Sequence, residues 1–215
     1  MRSYKLIVFD WDGTLMDSER HIVDSMRKTI QELDLPQRTD SELRNVIGLG
    51  LKEALYTLYP NSDSSHLKTI GERYRFNYFS NPSSSQLFDG VPQLLAQLHK
   101  HNYLMAIATG KGRSGLNQAL SDSGVKDYFY TTRCAEETES KPSPKMLQEI
   151  MEDTQVDIHE TLMVGDTEYD ILMAKNVGVD ALAVSYGVHE KKRLEEFSPI
   201  DCLDSVIELH HWLLT

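Results

Sequence analysis

Five short apolar runs recur along the chain: YKLIVF at 4–9, YLMAIAT at 103–109, YTTRC at 130–134, TLMVG at 161–165 and ALAVS at 181–185. Several are apolar at odd and even positions alike, the pattern of strands covered on both faces of a parallel sheet. Between the later runs the period changes to that of helices, over 90–101, 113–124, 143–153 and 167–178. Pro144 is expected in the first turn of its helix, and Gly124 and Gly178 just past the ends of theirs. Alternation of strand and helix predicts a doubly wound, Rossmann-like α/β domain with a parallel sheet.

One interval breaks the alternation. From Leu15 to about Phe88 there is no strand pattern, only helical segments over 18–33, 40–47, 51–58 and about 63–79. That is too much chain for a βα loop. The expected organisation is an α/β core of 1–16 and 88–215 with an inserted α-helical cap of 17–87. The hinges are placed near Asp17 and over 80–88, where the Ser-rich SNPSSS reads as a loop.

The chain has 215 residues and a formal net charge of -11, from 22 Lys+Arg against 33 Asp+Glu. Such a surface repels phosphate backbones, so a nucleic-acid partner is not expected, whereas a local basic pocket or a metal still admits a small anion. The two cysteines form no C-x-x-C pair, which suits a reducing cytoplasm. No run is long enough for a signal segment or a membrane span. A monomer or weak dimer without a membrane partner is the expectation.

Open parallel sheets bind ligands beyond the carboxyl ends of their strands. The residues there are Asp10 and Asp12; Thr109, Gly110 and Lys111; Cys134 to Lys141; and Gly165, Asp166 and Asp170. Asp10 and Asp12 in VFDWDGT repel each other unless a cation holds them or one carries a proton. Asp166 and Asp170 in VGDTEYD lie one helical turn apart on one face. Carboxylate-rich oxygen clusters take hard cations such as Mg²⁺. Lys141 adds fixed positive charge, and with Thr109 and free backbone N–H groups it could surround a phosphoryl group.

In order, DWDGT, ATG, a lysine before a proline, and GDTEYD resemble the four motifs of the haloacid dehalogenase superfamily, and the chain looks most like its phosphoglycolate-phosphatase-like branch. The resemblance implies Asp10 as nucleophile, forming an aspartyl-phosphate, and Asp12 as acid/base. It implies Mg²⁺ held by Asp10, the carbonyl of Asp12 and Asp166, with Asp170 as a further ligand or an orienter. Thr109 and Gly110 would bind phosphoryl oxygens, and Lys141 would screen Asp10 and the phosphate, leaving Asp12 the less compensated carboxylate. The dehalogenases of the superfamily lack the second aspartate, so Asp12 implies phosphoryl transfer. Phosphomutases keep both but usually have Val where Thr14 stands. The implied substrate is a small phosphorylated metabolite, of the phosphoglycolate type.

Other readings compete. A sugar phosphomutase, a nucleotidase, a pyrophosphatase and a non-catalytic binding protein on the same fold share these motifs in part. A retired enzyme, however, would tolerate loss of Asp10, Asp12, Lys141 or Asp166. GKGRSG at 110–115 is a literal G-x-G-x-x-G with Glu136 and Glu137 about twenty residues on, as a dinucleotide site requires. It follows the second strand of the sheet rather than the first, and Lys111 and Arg113 fill positions that usually stay small. In the cap, Gly48 and Gly50 between Arg44 and Lys52 form a basic turn that could hold a substrate carboxylate, or a plain helix-turn-helix with solvated charges. Tyr74, Phe76, Tyr78 and Phe79 read as packing residues.

Overall fold

The computed structural model describes residues 4–80 and 85–215. Six parallel strands form its sheet: β1 Leu6–Phe9, β4 Leu104–Thr109, β5 Thr131–Cys134, β6 Thr161–Gly165, β7 Asp180–Val184 and β8 Asp201–Leu203, in the order β5-β4-β1-β6-β7-β8. A two-stranded antiparallel ribbon, β2 Met16–Asp17 with β3 Gln86–Leu87, stands apart. The five predicted core strands are all present and parallel.

β1 lies in the middle and shows why both its faces are apolar. Ile7 and Phe9 join one cluster with Leu94 and Leu98 of α5 (Val91–Lys100), Leu116 of α6 (Arg113–Ser123) and Leu209 of α10 (Val206–Leu214). Leu6 and Val8 face the opposite cluster, with Met146 and Ile150 of α7 (Lys145–Thr154) and Ile171 of α8 (Glu168–Val177). All four β1 side chains are fully buried, each contributing about 1.5–3 kcal/mol relative to exposure. Gly124 and Gly178 end α6 and α8 in the left-handed conformation, as expected, whereas Pro144 precedes the first turn of α7.

The long interval is helical: α1 Glu19–Glu32, α2 Asp40–Asn45, α3 Leu51–Leu58 and α4 Ser64–Ser80. These helices have their own apolar cluster, including Ile30, Leu43, Leu55 and Ile70. They stand over the carboxyl ends of β1 and β4. Part of the expected SNPSSS loop, 81–84, lies outside the described residues. Among the described residues, no helix is long and apolar enough to cross a membrane.

Candidate active site

β1 ends at Phe9, and Asp10 and Asp12 follow in a tight turn in which the N–H groups of Leu15 and Met16 both donate to the carbonyl of Trp11. Gly13 makes the turn possible: its φ is 91°, and a Cβ there would lie 2.2 Å from Asp166 Oδ2. β6 ends at Gly165 and delivers Asp166 beside Asp10, because the strands are neighbours in register. Asp10, Asp166 and Asp170 are all buried, and each offers an oxygen within 4.8 Å of the others.

Among the described residues, one cation is inserted among these three. Lys141 Nζ lies 2.7 Å from Asp10 Oδ1 and 2.6 Å from Asp170 Oδ1. Asp170 Oδ2 accepts from the Thr167 backbone N–H at 3.0 Å and its hydroxyl at 2.7 Å, closing the start of α8. Asp170 therefore orients Lys141. Asp166 accepts from the Thr14 hydroxyl and from the Val188 N–H, each at 2.8 Å. Asp10 Oδ2 has no hydrogen-bond partner among the described residues.

Three carboxyl groups against one ammonium would, all ionised, leave two negative charges uncompensated in a buried site. Burial pushes the Asp10 carboxyl up to about 7 despite Lys141, and pushes Asp166 well above the ordinary carboxylate range. An unpartnered buried oxygen and a surplus of two negative charges fit a divalent cation held by oxygen ligands. A prediction follows for chelated protein. An Asp10 raised from 3.8 to about 7 binds its proton more tightly folded than unfolded. Stability from this group is present at low pH and lost as pH rises through that window. Thermal melts in chelator should fall in midpoint from about pH 4 to about pH 7, and added Mg²⁺ should raise the midpoint most at the upper end. A midpoint unaffected by metal at pH 7.5 would count against a cation site.

Asp12 differs from expectation. It is not the less compensated carboxylate, because it has a cation of its own. Lys111 Nζ donates to Asp12 Oδ1 and Oδ2 at 3.0 and 3.2 Å, and the Ser18 hydroxyl donates at 2.6 Å. Lys111 Nζ also donates to the Tyr78 hydroxyl of α4 at 2.7 Å. Lys111 and Tyr78 are thus site residues that sequence reasoning left out; Lys111 was visible at a strand end, whereas Tyr78 gave no signal beyond an aromatic cluster. Of that cluster Tyr74, Tyr78 and Phe79 line the cavity over Asp10 and Asp12, while Phe76 is exposed.

Thr109, at the end of β4, is buried, and its hydroxyl accepts from the Lys111 N–H at 3.1 Å. Gly110 sits against the turn between α2 and α3: a Cβ there would lie 2.3 Å from the Leu49 carbonyl oxygen and 2.6 Å from that of Gly48. Gly110→Ala should therefore hold the cap away from the core. The expected result is a kcat/KM at least about tenfold lower with an unchanged thermal midpoint, read by steady-state kinetics and melting; unchanged kinetics would refute the close approach. Gly48 lines the cavity, whereas Arg44 does not and is paired with Glu19 of α1. Glu136 and Glu137 are both engaged by residue 113, through its backbone N–H and guanidinium respectively, which leaves neither free for a ribose.

Buried carboxylates, a lysine and a cavity of 390 Å³ at the strand ends of a Rossmann-like sheet suit phosphoryl transfer. The haloacid dehalogenase-like hydrolase family model matches residues 7–184, and the chain belongs to that family. It is similar to the phosphoglycolate phosphatase of Vibrio parahaemolyticus, 32% identical over 95% of this chain and 94% of the relative. A pyrophosphatase of Bacillus mycoides is 28% identical over 94% of each chain. In fold it matches the crystal structure of a hydrolase from Pseudomonas syringae, with a TM-score of 0.90 over 97% of both chains at 20% identity. The protein is a phosphatase of this family, in its phosphoglycolate-phosphatase-like branch.

Proposed function

We propose that the protein hydrolyses the phosphomonoester of a small metabolite through an aspartyl-phosphate on Asp10, with Mg²⁺ as its metal. The observation that carries this reading is Asp10 itself: buried at a strand end, one oxygen on Lys141 and the other without a partner. Asp10, the main-chain carbonyl of Asp12 and Asp166 would hold the ion, whose charge, when bound, would stabilise the phosphoryl oxygens.

The side chains supply the rest. Asp10 Oδ attacks phosphorus, and the bond to the alcohol oxygen breaks as Asp12 gives that oxygen a proton. A water then attacks phosphorus and gives a proton to Asp12, and the P–O bond to Asp10 breaks, returning both carboxyls to their starting state. Thr109 and the backbone N–H of Gly110 bind phosphoryl oxygens, and Lys141 together with the bound cation would keep Asp10 ionised. The Lys111 pairing suits Asp12 as the carboxylate that takes the water's proton. A substrate arriving as its phosphate monoanion can bring the proton that Asp12 gives first. The helical cap closes over this chemistry and excludes water. Both cysteines are free buried thiols, which is consistent with action in a reducing cytoplasm.

The test is phosphate release from a panel of phosphoglycolate, sugar phosphates, nucleoside monophosphates and pyrophosphate, with Mg²⁺ and with chelator. Release only with metal supports the reading. Isomerisation of a sugar phosphate without release would replace it with a mutase.

A further inference from the structure

The cavity over Asp10 and Asp12 reaches far beyond a phosphoryl group. Its 390 Å³ leaves room beyond a phosphoryl group for an organic leaving group. Its distal wall is built from Ile22 and Met26 of α1, Val46, Ile47 and Leu49 after α2, and the Tyr78 ring.

Two of the three lining cations are already engaged. Lys111 is buried between Asp12 and Tyr78. Arg75 lies 3.7 Å from Glu136, another lining residue. Lys52, the third, is exposed at the start of α3. Four lining carboxylates, Asp10, Asp12, Glu53 and Glu136, stand against three lining cations, with Lys141 behind Asp10 as a fourth. Arg44, the other basic residue near the cap turn, is held by Glu19 outside the cavity. Ile22, Met26, Val46, Ile47 and Leu49 carry no charge, so an anionic group brought against that wall would lose its water without gaining a partner from it.

We propose that the leaving alcohol of this phosphatase is uncharged and presents an apolar or aromatic surface to the cap, which sets it apart from relatives named for phosphoglycolate and pyrophosphate. This rests on the phosphatase reading above. Apolar contact selects by shape and area, and each buried methylene strengthens it modestly, so discrimination accumulates over the whole leaving group. The Tyr78 ring borders the cavity beside His21, Tyr74 and Phe79, with the Lys111 ammonium 4.7 Å from its centroid.

The test compares kcat/KM for benzyl phosphate, 2-phosphoglycolate and pyrophosphate with Mg²⁺, with acetyl phosphate as an undemanding donor. Wild type should favour benzyl phosphate over 2-phosphoglycolate by at least about tenfold. Ile22→Lys places a cation on the distal wall and should cut that ratio at least about tenfold. Leu49→Lys, at a partly exposed wall position, does the same where Ile22→Lys fails to fold. A wild type that favours 2-phosphoglycolate or pyrophosphate, or a ratio that a folded lysine variant leaves unchanged, overturns this inference and leaves the phosphatase standing. No release from any of the four compounds overturns the phosphatase reading and the inference together.

Discussion

Asp10→Asn should lose metal-dependent phosphate release by about 10⁴–10⁶-fold in kcat, the scale on which hydrolases respond to loss of a nucleophile. Asparagine keeps the shape of the side chain, so the surrounding packing stays. It removes a carboxylate that burial, together with Asp170 and Asp12, makes hard to ionise. The variant should therefore melt higher than wild type in chelator at pH 7–8, where wild type carries the cost of ionising a group raised to about 7. In Mg²⁺ the order should reverse, because asparagine is a weaker ligand. Activity and stability thus move in opposite directions in the metal-free protein. A variant that turned over within tenfold of wild type would remove Asp10 from the nucleophile's role. One that was inactive and also less stable in chelator would show a folding defect instead.

Asp12→Asn should slow turnover by about 10²–10⁴-fold, the usual worth of a positioned acid/base, while Mg²⁺ still raises the melting midpoint. The main-chain carbonyl that would help hold the ion is untouched by the change. The loss should depend on the leaving group: an alcohol that departs readily as its anion needs little protonation, so an aryl phosphate should suffer less than an alkyl phosphate in the first step. Water attack would still lack its base, so a burst of alcohol release followed by slow turnover is the expected course. Asparagine also leaves Lys111 without its anion in a buried position. Restoring that balance with Lys111→Met in the same chain separates the charge effect from the proton-transfer effect. Recovery of turnover in the double variant would show that Asp12 mattered only as a partner for Lys111.

The chain announces its sheet because β1, β4 and β6 are covered on both faces, and continuous apolar runs follow from that covering. The shortest strands were not legible. β8 is three residues, Asp201–Leu203, starting on an exposed aspartate, and β2 and β3 are two residues each. Their existence is decided by neighbours far along the chain. The carboxylates and Lys141 were legible because parallel topology gathers strand ends, so position after a strand locates a residue without contact information. What position cannot reveal is which cation meets which anion. Lys111 and Asp12 are separated by 99 residues, and their pairing depends on how the turn after β4 leans across β1. Arg44 shows the same limit: a basic residue beside a glycine turn suggested a substrate contact, but Glu19, 25 residues earlier, is nearer to it than the cavity is.

The ribbon of β2 and β3 has a consequence for how the molecule can be cut. Met16 is paired with Leu87 and Asp17 with Gln86, so the chain leaves for the cap and returns through adjacent backbone positions. Everything between them is a cassette with a single two-stranded socket. A tight turn of the kind that joins antiparallel strands can replace it without stretching either end. Asp10, Asp12, Lys141, Asp166 and Asp170 all remain in the trimmed chain. A cooperative melt of that chain, still raised by Mg²⁺, would show that the chemistry and its selectivity are carried by exchangeable parts.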